Sequence, residues 1–300
     1  MTEIERIIQK GVINDDFLKE EVLCDFLVTE KRKKTWAISL DLLLEFDRVC
    51  KKHNITYFLM GGTLLGAIRH KGFIPWDDDT DVMMLREDYE RFMNYADEFQ
   101  KPYFFQIPET DPESGYSIIK IRNSNTTAIV DKFKYEKFNH GIWLSVFPID
   151  NWKIEGGEER SAIIKSLLIE NATYMRKSNP YLNEADRIRV QNHSGRKPKE
   201  VNDEIQKIAM QHRYAPTGYV ALAVTTVYPL KKLIYKSEVF ADSVKVEFEG
   251  FTFPAPVGYD EYLTTAYGNY MEFPPVDKRG KWHEGLIIDA DRPYTDSLII

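Results

Sequence analysis

The chain has few cysteines, no long apolar run and no excess of basic charge, and each shortage removes a class of function. Only Cys24 and Cys50 occur in 300 residues, too few for a disulfide framework and wrongly spaced for a zinc knuckle or a thioredoxin-like pair. A reducing compartment is expected. No apolar stretch approaches the roughly 18 residues that a membrane helix requires. The opening MTEIERIIQKGVINDD carries acids instead of an apolar signal core, so a cytoplasmic chain is expected. With 47 acidic against 40 basic residues the net charge is −7, and without a concentrated basic face nucleic acid is not an expected partner. One basic run stands out, Lys31-Arg32-Lys33-Lys34 beside Trp36. It reads either as a solvated helix start or linker, or as a contact for anionic lipid at the inner membrane face.

What is present is ordinary globular material: 43% hydrophobic and 29% charged residues, enough to bury a sizeable core. In AISLDLLLEFDRVCKK (37–52), Ile38, Leu42, Phe46 and Val49 recur at helical spacing. A strand-like run from Ile55 to Met60 ends at Gly61-Gly62, and Thr63 reads as the N-cap of a helix TLLGAIRH. A second strand-like run covers Asp79 to Leu85, and a helix is expected over 86–100. Short strand signals follow at Tyr103–Ile107, Ser117–Arg122, Thr127–Asp131 and Ile142–Phe147. Interleaved helix and strand signals imply an α/β or α+β sheet domain up to about residue 152. Beyond Gly156-Gly157 the pattern turns helical to about 177, and the polar 178–198 reads as a lid or linker. A helix over 199–212, a strand pair around 244–253 and a helix Tyr259–Tyr267 complete the chain. The organisation expected is an N-terminal helical or linker segment (1–36), a catalytic core (37–152) and a C-terminal part (153–300) with lid and acceptor-side elements.

The stretch GFIPWDDDTD crowds Asp77, Asp78, Asp79 and Asp81 together. Two carboxylates about 6–7 Å apart repel by roughly 2–3 kcal/mol at an effective dielectric near 20, so something must offset the cluster. In an extended strand Asp79 and Asp81 share a face, Asp77 joins them if the extension begins early, and Asp78 points away. Convergent carboxylates suit Mg²⁺ or Mn²⁺ with room left for phosphate oxygens. An EF-hand loop fails, because Met83 and Met84 stand where its ligand and its glycine are needed. Stabilisation of the next helix dipole fails because the acids lie before Val82–Leu85. A solvated acidic turn stays open. The glycine pair favours the metal reading: a strand ending in Gly61-Gly62 before a helix presents backbone N–H groups and a positive dipole end to an anion such as phosphate.

FLMGGTLLGAIRHKGFIPWDDDTDV resembles the signature of the LicD family of phosphocholine and polyol-phosphate transferases, within the nucleotidyltransferase superfamily. The segments at 104–129, 141–150 (GIWLSVFPID) and 248–275 are similar to the same family. The resemblance implies an α+β fold, with a nucleotidyltransferase-like mixed β-sheet core flanked by helices and a mostly helical C-terminal extension. It implies transfer of a phospho-alcohol group, above all phosphocholine, from a CDP-linked donor such as CDP-choline or a CDP-polyol. The acceptor would be a hydroxyl of a cell-surface glycan, a teichoic acid precursor or a lipid-linked glycan, with Mg²⁺ required and CMP released. Gly61, Gly62 and Thr63 would bind the donor, with Arg69, Lys71 and Arg279 on its pyrophosphate. Asp77, Asp79 and Asp81 would hold the metal. Asp79 and Asp81 would act in catalysis with Asp150, for which Asp131 is the alternative. The sequence departs from many relatives at Ser145, where they carry a third acid. Lys278 and His283 would close over the donor beside Arg279, and Trp76, Trp143 and Tyr267 would cage a choline. Two rival readings are a nucleotidyltransferase acting on a small molecule or an RNA end and a catalytically silent scaffold of the same fold.

Overall fold

A computed structural model describes residues 1–193, 195–215, 217–225, 228–280 and 286–296. In chain order the elements are α1 (Glu3–Gln9), β1 (Glu21–Leu23), β2 (Phe26–Val28), α2 (Glu30–Lys52), β3 (Phe58–Leu59), α3 (Gly61–Arg69), β4 (Thr80–Leu85) and α4 (Arg86–Met93). They continue with β5 (Tyr103–Gln106), β6 (Ile119–Asn123), β7 (Thr127–Val130), β8 (Ile142–Asn151), α5 (Gly157–Tyr174), α6 (Glu184–Gln191) and α7 (Pro198–Ala209). Last come β9 (Tyr219–Ala221), β10 (Ile234–Lys236), β11 (Ser243–Phe248), β12 (Phe251–Pro256), α8 (Tyr259–Tyr267) and β13 (Leu286–Asp289). The fold is α+β.

The spine of the main sheet is β8, whose apolar run IWLSVFPI suits a strand covered on both faces. Residues 144–149 pair in parallel with β4, 142–146 pair antiparallel with β6, and 150–151 pair antiparallel with β9. Pro148, which has no N–H to donate, falls in the gap where β8 leaves β6 and has not yet met β9. β4 continues to β3, β9 to β10, and β6 to β5. The main sheet therefore draws β9 and β10 from beyond residue 152, and of a helical C-terminal extension only part is seen, α5 to α8 alternating with strands.

Helix α2 packs across the sheet and begins at Glu30, earlier than its apolar period suggests. The Thr29 hydroxyl caps it by accepting the Arg32 N–H at 3.3 Å. The basic run thus forms the first turns of a helix. Lys33 is buried against Glu21, Lys34 pairs with Asp291 at 2.9 Å, and Arg32 approaches Asp78 at 3.7 Å. α4 is shorter than expected, stopping at Met93. The polar 178–198 contains α6, capped by Asn183 and tied to α5's end by an Arg176–Asp186 ion pair of 2.7 Å.

Candidate active site

The acidic loop is fixed through its main chain. The Asp77 carbonyl accepts from Trp36 Nε1 at 2.8 Å and Arg32 Nη1 at 3.0 Å, and its N–H donates to the Ile74 carbonyl at 2.9 Å. Trp36 stacks on Phe73 with centroids 4.9 Å apart. Phe73 N–H donates to the half-buried Glu249 carboxylate at 2.9 Å, and any Cβ at Gly72 would collide with that carboxylate. Carbonyl and amide contacts set the path of the loop, and its carboxylates add to them, Asp77 Oδ1 accepting the Asp78 N–H at 3.1 Å and Asp78 pairing with Arg32 at 3.7 Å.

The glycine turn closes on the acids from the other side. Helix α3 starts at Gly61, with Met60 rather than Thr63 in the cap position. Thr63 lies in the first turn, and its hydroxyl accepts the Asp81 N–H at 2.9 Å, while Met60 N–H donates to the Asp81 carbonyl at 3.0 Å. The two segments are stapled together. Gly61 adopts a left-handed φ of +55°, and a Cβ on Gly62 would overlap the Asp77 carboxylate. Only glycine allows that approach. The helix N-terminus is therefore met by Asp77, and the Gly61 N–H donates to the Tyr262 hydroxyl at 3.2 Å. At Gly61 the amide expected to greet a phosphate already has a protein partner.

Gly61, Gly62, Asp77, Asp79 and Asp81 share one wall of a cavity of about 650 Å³. The lining is also aromatic, with Tyr228, Tyr262 and Tyr267 beside the acids and the glycine turn. Burial pushes all three phenols up, and the neighbouring carboxylates add to it, Asp77 at Tyr267, Asp81 at Tyr262 and both at Tyr228. These hydroxyls stay protonated and can donate. Trp76 also lines the cavity, whereas Trp143 lies on the far side of Asp79.

Of the three tyrosines the sequence singles out Tyr267 alone; Tyr262, in the same stretch YDEYLTTAY, and Tyr228, outside it, were missed.

Arg69 lines the cavity and works as a clamp, its Nη1 donating to the carbonyls of Tyr270 at 2.7 Å and Glu272 at 3.1 Å. Arg279 lies behind the wall, stacked over Trp76 at 4.6 Å and donating to the carbonyls of Cys24 at 2.6 Å and Pro274 at 3.0 Å. The two arginines strap 270–279 across the cavity. Burial and the adjacent Arg69 hold His70, stacked on Phe273 beneath this strap, down at about 4. Lys71 is exposed, outside the cavity wall, with its backbone at φ +61°. His283 lies outside the described residues.

The acids proposed to complete the set lie elsewhere. Asp150 is buried at the far end of β8, both carboxylate oxygens engaged by Arg86 at 2.6 and 2.8 Å. The strand rises about 3.3 Å per residue, so the five positions from Ser145 to Asp150 carry it well away from the Asp81 row. Asp131 is exposed and paired with Lys134 at 2.9 Å. The row that holds Asp81 continues instead through Ser145 to Lys120, whose Nζ donates to Ser145 Oγ at 3.2 Å. Burial pulls this lysine down to about 7 with help from Arg122, while Asp81 and Asp79 act in the opposite direction. Its sequence signal was present: Lys120 and Arg122 sit two apart in the apolar strand IIKIRN, so both cations face the same side.

No group of three His, Cys, Asp or Glu side chains with metal-ligand spacing occurs among the described residues. The acids present fit an ion held by one or two carboxylates that completes its shell with phosphate oxygens and water, which is how Mg²⁺ is ordinarily bound.

Residues 54–155 match the family model described as LicD/FKTN/FKRP, nucleotidyltransferase domain. The chain is 28% identical over 259 residues to the lipopolysaccharide cholinephosphotransferase LicD of Haemophilus influenzae, covering 82% of this chain and 93% of that protein. An uncharacterised protein of Rickettsia typhi is 38% identical over 77 residues, 25% of this chain and 24% of its own length.

Proposed function

We propose, for a chain that belongs to the LicD family through its nucleotidyltransferase domain at residues 54–155 and is a phosphotransferase, that it moves phosphocholine from CDP-choline to a hydroxyl of a surface glycan and releases CMP. The observation that carries this reading is the convergence of Asp77, Asp79, Asp81 and the glycine turn on one cavity that is also lined by aromatic rings. A donor of this kind has a diphosphate needing charge neutralisation and a quaternary ammonium, which aromatic faces attract. The choline assignment is further supported by the Haemophilus relative, a lipopolysaccharide cholinephosphotransferase.

In the reaction the acceptor oxygen bonds to the phosphorus bearing choline, the bond from that phosphorus to the CMP oxygen breaks, and the hydroxyl proton passes to solvent. Such transfers ask for positioning and charge stabilisation more than covalent help. A bound Mg²⁺ or Mn²⁺ would neutralise the diphosphate and the leaving group. Asp79 and Asp81 are the residues to hold it, with Asp77 beside them at the glycine turn. Thr63 and Met60 fix Asp81, Trp36 and Arg32 fix Asp77, and the tyrosine hydroxyls are placed to donate to donor oxygens. Arg69 and Arg279 keep the strap over the site, orienting the donor by shape. A lipid-linked acceptor would bring the chain to the inner membrane face.

The test is a thermal-shift screen of CDP-choline, CDP-ribitol, CDP-glycerol and CDP-ethanolamine with and without Mg²⁺, followed by analysis of the by-product with a glycan acceptor. Mg²⁺-dependent stabilisation by CDP-choline and release of CMP are expected. Release of pyrophosphate would assign a nucleotidyltransferase, and no ligand effect at all would assign a silent scaffold.

A further inference from the structure

The sheet sets a cation in line with the acids. Asp81, Ser145 and Lys120 are register partners across β4, β8 and β6, so their side chains leave the same face. Lys120 is buried, with the rings of Trp143 and Tyr116 at 4.5 and 4.7 Å from Nζ and Ser145 Oγ as hydrogen-bond partner. Two aromatic faces favour the charged ammonium, and the fields of Asp81 and Asp79 reach it and favour the same form, against burial and the field of Arg122. Sites that use two metal ions place them about 3.5–4 Å apart and need anionic ligands on both flanks. Beyond Asp81 this flank carries a hydroxyl and an ammonium instead.

We propose that Lys120 is the resident counter-cation of Asp79 and Asp81, a positioning residue whose charge occupies the flank of a second divalent ion, so that the cavity takes one divalent cation. The inference rests on the phosphotransferase reading of the same acids. It accounts for Ser145: a carboxylate there would pair with Lys120 and cancel its charge.

The experiment titrates Mn²⁺ into the full chain in the presence of CDP-choline, following heat and the electron-spin signal of unbound Mn²⁺. The wild type and Lys120→Arg should each bind a single ion. Lys120→Met should bind it more tightly, on the order of tenfold for loss of one nearby charge at an effective dielectric near 20. The Lys120→Met/Ser145→Asp double variant should take a second ion. Should Lys120→Met fail to fold, Lys120→Gln removes the same charge while keeping a donor for Ser145. Two ions on the wild type, or a charge-removing variant with wild-type affinity and stoichiometry, would overturn the role of Lys120 and leave the phosphotransferase reading intact. Absence of Mn²⁺ binding in every form would remove both.

Discussion

The two ends of the paired strands β4 and β8 treat aspartate in opposite ways. At one end Asp77 and Asp81 are gripped by their main chain, through Trp36, Arg32, Thr63 and Met60, and their carboxylates face a cavity. At the other end Asp150 is buried and gives both oxygens to Arg86, which also donates to Gln206 on α7 at 2.8 Å. The first arrangement spends backbone contacts to hold acids together, and the second spends the acid itself to hold α7 against the sheet. A carboxylate matched on both oxygens by a buried guanidinium is scaffold, whereas several carboxylates brought together beside a cavity by main-chain contacts form a site for something cationic.

Exchanging the roles of these ends is the sharpest way to break the contrast. Asp81→Asn should lower phosphocholine transfer by about a thousandfold or more, as loss of a metal-holding charge does, with an unchanged unfolding midpoint in denaturant. If transfer survives, the acid pair is not the working centre. Asp150→Ala should do the reverse, costing about 3–5 kcal/mol of stability by stranding the buried Arg86 charge while the folded fraction keeps its kcat. A loss of kcat at full stability would return Asp150 to the chemistry.

Smaller effects sharpen the same comparison. Gly62→Ala should push Asp77 from the turn and weaken Mn²⁺ binding in a calorimetric titration by about tenfold, roughly 1.4 kcal/mol, with the stability of the Asp150 end untouched. The effect of pH is the most gradual. His140, buried and bonded to the Glu136 carbonyl at 3.0 Å, is held at about 4, by burial first, with Arg122 adding and the carbonyl opposing. Because the unfolded chain takes up its proton nearer 6.5, stability should fall as pH drops from about 6.5 to about 4. His140→Asn should flatten that slope by at most about 1.4 kcal/mol per pH unit, measured by denaturant titration at several pH values.

Much of the site was legible because its signals are local. Gly61, Gly62, Asp77, Asp79 and Asp81 lie within 21 consecutive positions, and strand alternation alone put Asp79 and Asp81 on one face. Thr63 was recognised as important for the wrong reason: its hydroxyl serves the Asp81 amide across 18 residues rather than its own helix. The basic run was legible as a helix start but not as a partly buried one, because Lys33 is a charge in an apolar position, made tolerable by Glu21 from another element. Asp150 looked equivalent to the cluster because a sequence does not reveal which carboxylate will meet an arginine 64 positions away.

Sequence by itself determined the strand and helix periods, the glycine turn and the crowding of acids beyond it, since each depends on neighbours within a few residues. Tertiary structure decided which of those acids share a cavity, which one is neutralised, and that a lysine from β6 stands in the row of Asp81. Those outcomes depend on strand order and register, where a shift of one residue sends a side chain to the opposite face of the sheet.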